Sequence, residues 1–171
     1  RADHRHRIEH ASVCPPDVIR RISSRDIMVT THPAFLYYSG DRYLKTVPVD
    51  QQPHLYPIAS LLNAGVPVSA ASDGPIVDTN PLPGIYSAVT RRTESGEAVL
   101  EKEGISVESA LQLYTRAASM ASFQEKMKGA ISPGKLADMV VLSGDPLEVP
   151  VEAIKDIAVE ETIIGGERVW P

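Results

Sequence analysis

Three short strand-like runs alternate with helical patterns through the first half of the chain. The runs cover residues 7–11, 26–31 and 66–71, and the helical patterns cover residues 16–22, 55–64 and 83–93. A polar stretch rich in Tyr, Gly and Asp, residues 34–53, predicts a long loop. Repetition of a strand and then a helix is typical of a parallel sheet covered by helices. We therefore predict an α/β fold, with residues 66–71 as a strand buried on both faces.

The second half of the chain changes from helical to β character. Ser106 is placed to cap a helix that runs to about residue 119, and a shorter helix follows to about residue 127. Four later runs predict strands, at residues 139–142, 157–159, 161–164 and 167–170. The first of these is expected to be buried, and Gly165-Gly166 indicates a two-residue hairpin between the last two. We predict two parts, residues 1–128 and 129–171.

A side chain with possible chemistry stands at the end of each of the first three runs. His10 lies near the end of the first, His32 follows the second and Asp73 follows the third. Barrels of alternating strands and helices build their active sites at these strand ends. Imidazole and carboxylate groups bind divalent metals and move protons. Each residue also has a structural reading, as a half-buried histidine or a turn residue, so the prediction depends on their joint placement.

Three segments resemble the amidohydrolase superfamily of metal-dependent hydrolases. They are RHRIEHA at residues 5–11, SDGP at residues 72–75 and GKLADMVVL at residues 134–142. The branch that looks most similar contains N-substituted formamide deformylases and exoenzyme-regulator-like proteins. The resemblance implies a partial (β/α)8 TIM-like barrel in residues 1–128, comprising about its last three βα units and trailing helices. Residues 129–171 would then form the C-terminal part of a small β-sandwich.

The resemblance also implies roles for the three strand-end residues. His10 matches the histidine that ends the sixth barrel strand of the family and binds metal. Asp73 matches the aspartate after the eighth strand, a general base that takes a proton from metal-activated water and returns it to the leaving group. His32 falls at the end of the seventh strand, where the family often has a substrate-facing Gln before Pro. His32 departs from that pattern, so a substrate-binding role and a purely structural one both stay open.

The implied activity is hydrolysis of an amide-type C–N bond in a small molecule by metal-activated hydroxide. Zinc is the favoured cofactor, with iron or manganese as alternatives. The family's ligands from strands one, four and five have no match in these 171 residues. We therefore expect the C-terminal part of a larger enzyme, with an incomplete metal site and no activity by itself. The alternative is a non-catalytic scaffold or regulatory module derived from an amidohydrolase.

Composition restricts the partners. The net charge of −5, without a basic stripe, disfavours nucleic acid. The resemblance implies a small-molecule substrate as the ligand. The single cysteine, Cys14, cannot form an intrachain disulfide, so a cytoplasmic location is expected. No apolar run approaches the roughly 20 residues of a membrane span. An opened barrel would leave unpaired strand edges, which predicts a homo-oligomer or an edge-to-edge dimer of the fragment.

Overall fold

A parallel sheet forms the first half of the structure, a computed structural model that describes residues 3–171. Its strands lie in the order β1 (Arg7–Glu9), β2 (Met28–Thr31) and β3 (Val68–Ala70). The helices around it are α1 (Pro16–Ser23), α2 (Pro33–Thr46), α3 (Ile58–Asn63) and α4 (Leu82–Thr90). Strands β2 and β3 are buried along their whole length. The prediction of an α/β fold on parallel strands is therefore confirmed.

Helix α2 replaces the long loop that was expected over residues 34–53, so that prediction was wrong. Pro33 occupies the first helical position, where its fixed φ favours a helix and its missing N–H is not needed. Leu36 is fully buried. Gly40 lies against Thr93 so closely that a Cβ at this position would collide with the Thr93 side chain. The glycine that suggested a loop therefore serves close packing within a helix.

A long helical segment follows in the second half. It consists of α5 (Val107–Gln112), a π-helical turn (Leu113–Ala117) and α6 (Ala118–Ala121). The Ser106 side chain accepts a hydrogen bond from the Ser109 N–H at 3.1 Å, as the predicted cap requires. At the other end, Arg5 donates to the Met120 carbonyl at 2.7 Å and Arg7 donates to the Ala121 carbonyl at 3.1 Å. Cations are favourable at a helix C-terminus, so these contacts fix the start of β1 to α6.

A second sheet is antiparallel and follows the order β4 (Met139–Leu142), β5 (Val159–Ile164) and β6 (Glu167–Trp170). Gly165 and Gly166 both have positive φ, 60° and 87°, which suits a tight hairpin. The expectation that β4 is buried was wrong, since Val140 is 55% and Val141 40% exposed. Their side chains alternate between the two faces of the sheet, and neither face is sealed among residues 3–171.

The main core lies between the first sheet and its helices. It includes Val29 of β2, Ile58 and Leu61 of α3, and Ile85 of α4. Ile154, in a 3-10 helix over Val151–Asp156, is fully buried and joins this core. Among the helices of residues 3–171, none has both the length and the apolar character needed to cross a membrane.

Candidate functional site

His10 follows β1 directly, and its side chain extends towards the end of β3. The His10 N–H donates to the Thr30 carbonyl of β2 at 2.8 Å and so extends the parallel pairing by one residue. His10 and Ala11 then adopt φ values of 65° and 49°, in the left-handed region. Non-glycine residues rarely occupy this region, and such residues cluster at functional sites. The turn leaves the His10 side chain 42% exposed.

The end of β3 has a matching turn at Asp73. The Ala71 N–H donates to the Thr31 carbonyl of β2 at 3.0 Å, and Asp73 then adopts a φ of 62°. The Ser72 hydroxyl accepts from the Gly74 N–H at 3.2 Å and stabilises the turn. The Asp73 side chain is 39% exposed, and its Oδ2 lies 3.9 Å from Nε2 of His10. The two predicted residues therefore face each other although they follow different strands.

His32 lies below this pair, at the end of β2 and the beginning of α2. It is only 4% exposed, and its ring centroid is 4.2 Å from that of His10 with a tilt of 34°. The pKa of His32 is lowered chiefly by burial and also by the neighbouring His10, while the charges of Asp73 and Glu9 oppose the shift. Burial therefore disfavours the charged form of the His32 ring.

Phe35 is a site neighbour that the sequence did not reveal. Its ring meets His10 and His32 edge-on, with centroid distances of 5.9 and 6.0 Å. Phe35 lies three residues after His32, on the first turn of α2. Recognising α2 as a helix would have placed Phe35 beside His32, because residues three apart are neighbours on a helix surface.

His4 and His6 lie outside this site. Their rings stack at 5.1 Å with an angle of 3° between planes, and both residues are exposed near the start of β1. Both histidines precede β1 in the chain. The pair is therefore at the opposite end of β1 from His10.

The donor set at the strand ends fits part of a divalent metal site. A tetrahedral zinc has bonds of about 2.0–2.2 Å to imidazole nitrogen and carboxylate oxygen. The 3.9 Å between His10 Nε2 and Asp73 Oδ2 is within about twice that bond length. Within residues 3–171, however, no three His, Cys, Asp or Glu side chains are grouped so that they could hold a metal ion. Among the described residues, His10 and Asp73 are thus two candidate ligands and do not form a complete site.

The sequence matches a known family over almost its whole length. A sequence model of the amidohydrolase family matches residues 1–170. Protein LONG AFTER FAR-RED 3 of Arabidopsis thaliana is 34% identical over 173 residues, covering 99% of this chain and 29% of that protein. An N-substituted formamide deformylase of Arthrobacter pascens is 30% identical over 162 residues, covering 94% of this chain and 30% of that protein. The chain thus spans about 30% of the length of these relatives.

Solved structures share the fold. A metal-dependent hydrolase from Pyrococcus horikoshii OT3 superimposes with a TM-score of 0.74 at 24% identity, over 85% of this chain and 30% of that one. A metal-dependent hydrolase from Pyrococcus furiosus gives a TM-score of 0.71 at 27% identity, over 86% of this chain and 30% of that one. The arrangement of strands and helices described above is therefore that of a segment of these larger hydrolases.

Proposed function

This chain belongs to the amidohydrolase family, and from that premise we propose that it carries part of the active site of a metal-dependent hydrolase. The proposed reaction is cleavage of an amide-type C–N bond in a small molecule. The observation that carries the proposal is the 3.9 Å between His10 Nε2 and Asp73 Oδ2 at the C-terminal ends of β1 and β3. Active sites of α/β barrels lie at this end of the strands.

The proposed architecture places the three parallel strands as strands six to eight of a (β/α)8 barrel. Residues 1–128 would contribute this barrel segment with its trailing helices, and residues 129–171 would contribute strands to a β-sandwich. The parallel order β1-β2-β3 supports the first part. The exposed apolar side chains of the antiparallel sheet support the proposed β-sandwich, because such a sheet is stabilised by another layer packed against it.

His10 and Asp73 would hold a divalent cation, with Zn²⁺ the first to test and iron or manganese as alternatives. Such a cation supplies Lewis acidity and makes water at the site easier to deprotonate. Asp73 would accept a proton from the attacking water as the water oxygen bonds to the carbonyl carbon. The C–N bond then breaks, its electron pair stays on nitrogen, and Asp73 delivers the proton to that nitrogen. His32, in the floor of the site, would contact the substrate.

We propose that the site is completed by ligands from outside residues 3–171. Hydrolytic zinc sites ordinarily use three protein ligands or more, and the described residues group fewer. The 171-residue chain by itself should therefore bind zinc weakly and should not catalyse. Metal-dependent turnover by this chain alone would contradict that part of the proposal.

The test compares the 171-residue chain with the protein expressed from its complete open reading frame. Formanilide is a suitable probe, because its hydrolysis yields formate and aniline and is followed by absorbance. We expect metal content of about one or two ions and turnover only in the longer protein, with turnover abolished by Asp73→Asn. His4→Asn serves as the matched control, since His4 lies far from the site. Turnover unaffected by Asp73→Asn would remove Asp73 from the mechanism.

A second candidate function is a non-catalytic scaffold or regulatory module. It would apply if the further metal ligands missing from residues 3–171 are missing from the longer protein as well. The same experiment separates the two candidates. A longer protein that binds no metal and hydrolyses neither formanilide nor other amides would support the module.

The exposed edge of the first sheet motivates the proposed partner, a second copy of this chain. All three residues of β1 are exposed, and among the described residues β1 pairs only with β2. Unpaired edges of this kind favour association. Sedimentation of the 171-residue chain should therefore give a dimer or larger oligomer, and a monodisperse monomer would contradict it. The single cysteine, Cys14, is buried and forms no disulfide, which is compatible with the proposed cytoplasmic location.

A further inference from the structure

His32 has a buried ring nitrogen that no described residue satisfies. Its Nδ1 is sealed from solvent and has no hydrogen-bond partner within residues 3–171. The side chain also makes no capping hydrogen bond, although His32 stands at the N-cap of the 14-residue helix α2. Buried polar atoms in folded proteins are almost always paired, so an unpaired one calls for an explanation.

The unpaired Nδ1 determines where the ring carries its proton. A neutral imidazole has one N–H donor and one bare nitrogen. An orphaned buried N–H is rarer in proteins than an under-satisfied acceptor. The tautomer with the smaller free-energy cost therefore has no proton on Nδ1 and carries the proton on Nε2. Unlike Nδ1, the Nε2 atom is not among the buried atoms that lack a hydrogen-bond partner within residues 3–171.

The position of His32 suits the Nε2–H group to donate a hydrogen bond within the candidate site. The ring lies 4.2 Å from the His10 ring, below the two side chains that face each other at 3.9 Å. It also stands at the N-terminus of α2, where the helix dipole favours negative charge. Donors fixed in a buried site are most effective where negative charge develops during the reaction. A carbonyl oxygen gathers such charge when water adds to an amide carbon.

We propose that His32, as the Nε2-protonated neutral tautomer, donates a hydrogen bond to the carbonyl oxygen of the substrate. This inference rests on the proposed hydrolysis of a C–N bond. It gives His32 a catalytic role, because the donor would touch the atom that becomes negative when water adds. It also restricts the substrate class to compounds with a carbonyl oxygen next to the scissile C–N bond.

The tautomer can be measured without any turnover. Long-range proton–nitrogen correlation NMR on the ¹⁵N-labelled protein reports which ring nitrogen of each histidine is protonated, and the His32 signals are those lost in His32→Gln. We expect a proton on Nε2 and none on Nδ1 at neutral pH. A proton on Nδ1, or one averaged between the two nitrogens, would overturn the inference.

The donor role is tested by a pair of amide substitutions. In His32→Gln the amide nitrogen can take the place of Nε2, whereas in His32→Asn it takes the place of Nδ1. With formanilide and the zinc-loaded protein from the complete open reading frame, His32→Gln should keep kcat within a few-fold. His32→Asn should lower kcat by roughly 100-fold or more, with a smaller change in KM. His4→Gln and His4→Asn are the matched controls and should leave kcat unchanged.

The outcomes separate this inference from the proposed function. No hydrolysis of formanilide by the unsubstituted protein would overturn the proposed hydrolysis of this amide, and the role of His32 with it. Turnover in which His32→Asn equals or exceeds His32→Gln would overturn the role of His32 alone. Circular dichroism melting of each variant verifies folding, and Tm values within a few degrees of the unsubstituted protein are expected.

Discussion

His10 and Asp73 face each other across the end of β2, the strand that separates theirs. Neighbouring strands are spaced about 4.8 Å apart, so β1 and β3 are roughly 9.6 Å apart. The two side chains nevertheless approach to 3.9 Å, because both residues adopt left-handed backbone conformations that direct their side chains inward. The buried ring of His32, at the end of β2, lies 4.2 Å from the His10 ring of this pair.

The left-handed backbone conformation of His10 should lower the free energy of unfolding, and a comparison of Gly and Ala at this position measures the effect. A residue with a Cβ is strained at a φ of 65°, whereas glycine is not. We expect His10→Gly to be more stable than His10→Ala by about 1 kcal/mol in urea denaturation. At the exposed helical position Arg20, the order of Gly and Ala should reverse by a similar amount. Equal stabilities of the two His10 variants would contradict strain at this turn.

The sequence was sufficient to place His10, His32 and Asp73 after consecutive parallel strands. Strand and helix periodicity and the ends of apolar runs carry that information. Their convergence was not predictable in the same way, because it depends on positive φ at His10 and Asp73. Histidine and aspartate reach this region more readily than most residues, but a sequence does not say where they do so.

Other features were missed because they depend on long-range packing. Gly40 suggested a loop, but it allows α2 to approach Thr93. The apolar run of β4 suggested burial, but burial requires a covering layer that the run itself does not specify. Arg91 is fully buried and its neighbour Arg92 is exposed, although nothing in the local sequence distinguishes the two.

The ion pair between Arg5 and Glu125 should make stability depend on acid pH. Arg5 donates two hydrogen bonds to the Glu125 carboxylate, at 2.8 and 3.0 Å, and these lower the pKa of Glu125 from 4.5 to about 2. The stabilisation is complete above the unfolded pKa and is lost as the pH falls towards 2. Glu125→Gln should therefore show a weaker loss of stability than the unsubstituted protein when urea denaturation is repeated between about pH 5 and 2.5.

The exposed residue Glu167 provides the control for that experiment. No hydrogen bond of its side chain to the described residues was found, so Glu167→Gln should leave the acid dependence almost unchanged. An equal effect of the two substitutions would mean that net charge, and not the Arg5 contact, governs acid stability.

Two buried tyrosines should respond to loss of their hydroxyl with opposite signs. The Tyr114 hydroxyl is sealed and unpaired among the described residues, whereas the Tyr56 hydroxyl accepts a hydrogen bond from Ser12 at 3.1 Å. Removing an unpaired buried hydroxyl relieves a desolvation penalty, and removing a paired one loses a bond. We expect Tyr114→Phe to raise, and Tyr56→Phe to lower, the free energy of unfolding by about 1 kcal/mol each. A loss in Tyr114→Phe would indicate that its hydroxyl has a partner in solution.

The Tyr114 hydroxyl leaves no room for a side chain at position 84, which is occupied by glycine. A Cβ at Gly84 would collide with the Tyr114 hydroxyl and would lie 3.1 Å from its Cζ. Gly84→Ala should destabilise by about 1–3 kcal/mol, and by less in a Tyr114→Phe background. Gly40→Ala, which meets Thr93 and not Tyr114, should be unaffected by that background. Additive effects of Gly84→Ala and Tyr114→Phe would show that the two residues do not compete for space.

Arg91 holds together two loops by donating to three backbone carbonyls. Its guanidinium donates to Val99 at 3.1 Å, to Tyr56 at 3.1 Å and to Leu55 at 2.9 Å, in a fully buried position. Arg91→Met keeps an unbranched chain but leaves these carbonyls without donors, and each unpaired group costs about 1–3 kcal/mol. We expect a loss of at least about 3 kcal/mol in the free energy of unfolding.

The neighbouring residue supplies a control of the same chemistry. Arg92 is exposed and contacts the Gly96 carbonyl and Glu101 at the surface, so Arg92→Met should change the free energy of unfolding by about 0.5 kcal/mol or less. Similar losses for Arg91→Met and Arg92→Met would show that removal of charge is responsible. A much larger loss for Arg91→Met would support the cost of leaving its three carbonyl partners unpaired. Because Leu55 and Tyr56 lie just before Pro57, the N-cap of α3, the same contact stabilises the chain that leads into β3 and Asp73.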